Sequence, residues 1–141
     1  MITDLFLGSF LLTCSVTDIK SREVKPAVLA VFGVLAAGLY VFFRPVGLFE
    51  EAAGIMTGLF FVAMYLITDE KIGLGDGLLM TVTGIFLGGR KNASLIMTAM
   101  MLSAAFSIAA LITKKADRKT KLPFVPFVFA AFLLQLLRRF L

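Results

Sequence analysis

The chain has 141 residues, 60% of them hydrophobic and only 16% charged, with a mean hydropathy of +0.98. A soluble domain of this size needs roughly a quarter of its residues charged to cover its surface, so a soluble globular fold is excluded. The net charge of +5 comes from bases gathered between apolar runs, with no basic face carrying interleaved aromatics, which argues against a nucleic-acid partner.

Apolar blocks separated by short charged punctuation predict an all-α membrane protein: six transmembrane helices forming one membrane-embedded domain, residues 1–141. The first helix, about residues 2–17, ends at Thr17-Asp18, ahead of Lys20, Arg22, Glu23 and Lys25. It carries Asp4 where a signal peptide has bases and lacks a small-x-small cleavage site, so it is expected to be retained. Pro26 opens the second helix, 26–43, where proline suits a first turn. The third, 52–68, contains Gly54-x-x-x-Gly58. Small residues at this spacing, which recur at Gly84/Gly88 and Ala99/Ser103/Ser107, let helix backbones approach closely and are expected to pack the bundle.

Asp69-Glu70-Lys71 and Gly73-Leu74-Gly75-Asp76 then lead into a fourth helix, 77–89. At 1.5 Å per residue it is roughly 20 Å long, short of a ~30 Å hydrocarbon core. Either the bilayer thins here, or Asp76 lies below the membrane surface in a cavity lined by protein and reached by water, which is what a membrane active site requires. The fifth helix is 93–113 and the basic stretch 114–121 follows; Pro123 and Pro126 start the sixth, 123–138.

Six spans put both termini on one side. Of the 14 lysines and arginines, nine fall in the loops after the first, third and fifth helices. The positive-inside rule puts those loops in the cytoplasm and the termini outside, in a multi-pass protein of the inner (cytoplasmic) membrane. Asp18 ends the first helix and Asp76 begins the fourth, so both carboxylates fall at the cytoplasmic boundary. An acid placed against hydrocarbon is expensive and reads as functional, with a partner to be found.

The residue inventory narrows the chemistry. There is one cysteine, Cys14, and no histidine, which rules out an internal disulfide, Cys/His zinc sites and histidine-dependent triads. No metal and no cofactor are expected. Two aspartates brought within a few ångströms share a proton; one takes a proton from water while the other donates to the carbonyl oxygen or the leaving amine. That is aspartyl proteolysis, and it needs neither metal nor histidine. On the residues alone two alternatives stay open. Asp76 caps a helix and Asp18 merely ends one, or the pair is a proton relay in a small proton-coupled transporter. A transporter should show inverted repeats, and the two halves show no convincing match. Cys14, one turn before Asp18, reads as a small packing residue.

The segments Asp18-Ile19-Lys20-Ser21-Arg22-Glu23-Val24, Gly73-Leu74-Gly75-Asp76 and Pro123-Phe124-Val125-Pro126, on six spans, resemble a type IV prepilin peptidase, a GxGD aspartyl protease. The likeness runs the whole chain, in a short form like the peptidases of tight-adherence (Flp) pilus systems. It implies cleavage of a prepilin leader at the cytoplasmic face of the bilayer, after a glycine that precedes a hydrophobic helix. Asp18 and Asp76 would be the catalytic pair, and Gly73 and Gly75 would shape the loop presenting Asp76. Glu23, Asp69 and Glu70 flank the site and are candidate contacts for a basic leader. Two departures bear on substrate preference. Gly77-Leu78-Leu79 stands where relatives continue with x-Lys-Leu, and Val24-Lys25-Pro26 where they read Ile-Pro-Asn. Long forms also methylate the new N-terminus through a cysteine-bearing insertion between the first two helices; here that loop is short and lacks cysteine, so no methyl transfer is expected. A preflagellin peptidase and a non-catalytic assembly factor are the remaining alternatives.

Overall fold

The computed structural model describes residues 2–21, 26–43, 47–68, 74–115 and 123–141. Among them the chain is all helix: α1 (Ile2–Ser21), α2 (Pro26–Phe43), α3 (Leu48–Ile67), α4 (Leu74–Leu87), α5 (Gly89–Ile112) and α6 (Val125–Phe140). Three of these, α1, α3 and α5, are long and apolar enough to cross a membrane; α2 and α4 are apolar but shorter. Large apolar side chains such as Val34, Phe42, Leu48, Met56 and Phe60 face outward. On a soluble protein that surface would aggregate, whereas against lipid it is the required exterior.

The helix ends differ from the sequence expectation in ways local chemistry explains. α1 runs past residue 17, through Asp18, with Lys20 in its last turn, where a cation complements the helix dipole. α3 starts at Leu48 instead of 52 because Glu50 and Glu51 favour a first turn. α4 starts at Leu74 instead of 77, which moves Gly75 and Asp76 out of a loop and into the first turn. α5 starts at Gly89 instead of 93: Gly88, at φ 80°, reverses the chain in one residue, a conformation open to glycine at no steric cost. α6 starts at Val125 instead of 123, with Pro126 in its first turn.

Neighbouring helices close a ring, α1–α6–α5–α3–α4–α2 and back to α1, and α4 also touches α1 and α5. The most intimate pair is α3 with α4. A methyl at Gly54 would fall on the Gly84 carbonyl, and one at Gly58 on the backbone of Thr81. At Gly77 a methyl would lie 2.9 Å from Val62 Cγ2 and 3.1 Å from its amide nitrogen. These small residues draw two backbones into contact, which is how helices associate in lipid where burying apolar surface gains little. The core fills the ring with Leu7, Phe10 and Leu11 of α1, Leu79 and Phe86 of α4, Leu95 and Ala99 of α5, and Val128, Ala131 and Phe132 of α6. Phe32 of α2 closes it, stacking on Phe6 and Phe10 at centroid separations of 5.8 and 5.0 Å.

Polar groups within the bundle are satisfied locally. Ser9, Thr13 and Thr17 each donate to the carbonyl four residues back. Fully buried Asn92 joins three helices: its Nδ2 donates to Thr57 Oγ1 (2.8 Å) and the Met80 carbonyl (3.1 Å), and its Oδ1 accepts from Thr83 Oγ1 (2.7 Å).

Candidate active site

On α1 the buried positions are Leu7, Phe10, Leu11, Cys14, Ser15 and Asp18. This is one helical stripe at three- and four-residue steps, so Asp18 occupies the last turn of a core-facing row and is only 6% exposed. On α4 the corresponding row is Asp76, Leu79, Met80 and Thr83; Asp76 is half-buried, while the other three are buried. Each acid thus continues an apolar stripe into the bundle, at the end of the molecule where α1 finishes and α4 and α6 begin. Asp18 is close enough there for its charge to act on Asp76.

The third contributor is α6. Asp18 Oδ2 accepts a hydrogen bond from the Val125 amide at 3.1 Å, across 107 positions of sequence. Phe124 is the N-cap of α6 yet supplies no side-chain cap, so the carboxylate of another helix takes that role. Among the described residues no hydrogen-bond donor reaches the Asp76 carboxyl. The site is therefore asymmetric: one acid is buried and held by a backbone amide, the other half-buried and open.

Gly77 lets the first turn of α4 lie against Val62 of α3, which seats Asp76 at a fixed depth. Leu78, where the family pattern has lysine, is 39% exposed, whereas the next residue, Leu79, is buried at 1%. The departure therefore falls on the outer face of α4, away from the row that carries Asp76. Cys14 is buried against the core, as expected of a packing residue. Of the proposed loop glycines, Gly75 is helical, and Gly73 lies outside the described residues, as do the candidate leader contacts Glu23, Asp69 and Glu70. No group of three metal-ligating side chains occurs among the described residues. The amide of Val125 was missed in the residue inventory because a backbone donor carries no side-chain signature. The signal that pointed to it is the flanking pair Pro123 and Pro126.

A cleft of about 450 Å³ lies at the opposite end of the bundle between Asp4, Lys91, Gln135 and Arg139. Asp4 sits near the start of α1 and Asp18 near its end, so this cleft is separate from the paired acids.

Residues 5–114, which include both aspartates, match the type IV leader peptidase family. The chain belongs to that family. Over 132 residues it is 30% identical to the prepilin leader peptidase/N-methyltransferase of Bacillus subtilis (strain 168), a match covering 89% of this chain and 51% of that protein. The chain thus spans about half the length of the relative it matches. No solved structure matches it significantly. The Pro-Phe-Val-Pro segment, residues 123–126, falls beyond the residues matched to the type IV leader peptidase family.

Proposed function

We propose that this chain is an aspartyl endopeptidase that removes the leader of prepilin-like proteins at the membrane face, with Asp18 and Asp76 as its catalytic pair. The observation that carries the reading is the approach of these two acids, distant in sequence, within a chain of the leader peptidase family. One carboxylate takes a proton from a water molecule, which attacks the scissile carbonyl. The other donates a proton first to the carbonyl oxygen and then to the leaving amine. The two roles require one ionised and one protonated acid, the state that two neighbouring carboxyls adopt by sharing a proton. The half-buried setting of Asp76 supports access for water.

The substrate in this reading enters from the bilayer as a hydrophobic helix, with its basic leader at the cytoplasmic face. The leader meets Glu23, Asp69 and Glu70, each exposed pair contributing about 1 kcal/mol or less. Gly73 and Gly75 shape the approach to Asp76. Cleavage follows a glycine, and Flp-type prepilins are the preferred class. All six helices span the inner membrane, and the chain transfers no methyl group.

The direct test is co-expression with a Flp-type prepilin, with cleavage read as a mobility shift, using wild type, Asp18→Asn and Asp76→Asn. Both variants are expected to insert at normal levels and to leave the prepilin uncut. Normal cutting by either one removes the paired mechanism. Failure of the wild type on prepilin and preflagellin alike would return the transporter or assembly-factor reading.

A further inference from the structure

The Pro-Phe-Val-Pro segment has no part in the chemistry just described, yet its geometry reaches the site. A helix N-terminus leaves its first amides without intrahelical partners, and each needs an acceptor. In α6 the positions from 123 to 128 can be taken in turn. Pro123 and Pro126 have none. Phe127 and Val128 donate to the Phe124 carbonyl at 3.0 and 3.3 Å. Only Phe124 and Val125 remain, and the Val125 amide donates to Asp18 Oδ2 at 3.1 Å. The two prolines thus reduce the start of the helix to two adjacent amides, one of them fixed on that carboxyl group. Val125 is fully buried, so no water competes for its amide.

We propose that the N-terminus of α6 is the positioning element of the aspartate pair: the Val125 amide holds Asp18 in place and marks it as the member that takes the proton from water. An N–H donor suits the ionised carboxylate, which only accepts, better than the carboxylic acid, which must also donate. The positive end of the α6 dipole acts in the same sense. Asp76, which no donor reaches among the described residues, is left to carry the shared proton and act as general acid. Without that amide Asp18 keeps its place in sequence but loses its rotamer and its difference from Asp76. This inference rests on the two-aspartate reading above and adds the division of labour within it.

An amide-to-ester exchange at Val125, introducing the hydroxy-acid analogue of valine into the full-length chain, deletes the one N–H and leaves the side chain intact. Steady-state cleavage of a prepilin by the purified protein should show kcat reduced roughly ten- to hundredfold, the cost of one hydrogen bond to a charged group. KM should stay within about twofold, since substrate binding is untouched. Val128→Ala, equally buried on α6, keeps the Val125 amide and removes packing; it should lower Tm while kcat stays within about threefold of wild type. A role in folding alone predicts the reverse, with alanine the more damaging change and kcat per folded enzyme unaltered by the ester. An ester variant with wild-type kcat overturns the positioning role while leaving the aspartate pair intact. A wild type that cuts nothing fails at the earlier step.

Discussion

Asp18 and Asp76 are unusual less for being acidic than for the faces they occupy. A carboxylate in the last turn of a buried row beside Cys14 and Leu11 carries a desolvation cost that an exposed helix end would avoid. The Val125 amide of α6 offsets part of it. Asn92 illustrates the same logic without catalysis: it is buried, and its side chain bonds to residues of α3 and α4. Asn92→Ala should lower stability by about 1 kcal/mol, read by thermal unfolding in detergent, because Thr57 and Thr83 can still turn to carbonyls of their own helices. A loss of several kcal/mol would mean that the network is not replaced by those local bonds. Arg139, by contrast, meets Asp4 at 3.3 Å with its own side chain 63% exposed. Arg139→Gln should change stability by less than about 1 kcal/mol, since an exposed pair exchanges one set of solvated contacts for another.

At the level of elements, the α3–α4 pair decides where Asp76 sits. Gly54, Gly58, Gly77 and Gly84 leave no room for a methyl between the two backbones. Gly58→Ala is expected to destabilise by about 1–3 kcal/mol, and to reduce cleavage as well, because separating the helices displaces the first turn of α4. A variant with normal Tm and normal activity would show that the interface has slack. The Gly-x-x-x-Gly spacing in the third apolar run was readable as a packing signal, but its partner was not, since spacing says nothing about which helix approaches. Likewise the shortness of the fourth run was visible, whereas the start of α4 at Leu74 was not: glycine is a poor helix former, and helix–helix contact overrode that local preference.

For the whole molecule, the packing of α1 against both α4 and α6 leaves Asp18 bonded to the Val125 amide and close enough for its charge to act on Asp76, at one end of the bundle. The distribution of lysine and arginine predicts that this end faces the cytoplasm. Cys14 is fully buried, so a single introduced cysteine is the accessible thiol. In intact cells a membrane-impermeant maleimide should label Lys91→Cys and spare Lys115→Cys until the membrane is opened. The opposite pattern inverts the topology and moves the site to the outer face.

The alternation of apolar runs and charges by itself determined the membrane class, the six helices and the two acids worth asking about. These follow from the cost of placing charge and unpaired backbone in hydrocarbon, a cost that each segment bears alone. It did not determine that Asp18 extends a buried stripe to meet α6, that Gly75 and Asp76 are helical, or that an amide between two prolines is taken by a carboxylate 107 positions away. Those features arise only when helices remote in sequence pack together, because an amide or a methyl-sized gap acquires its role from whatever lies opposite it.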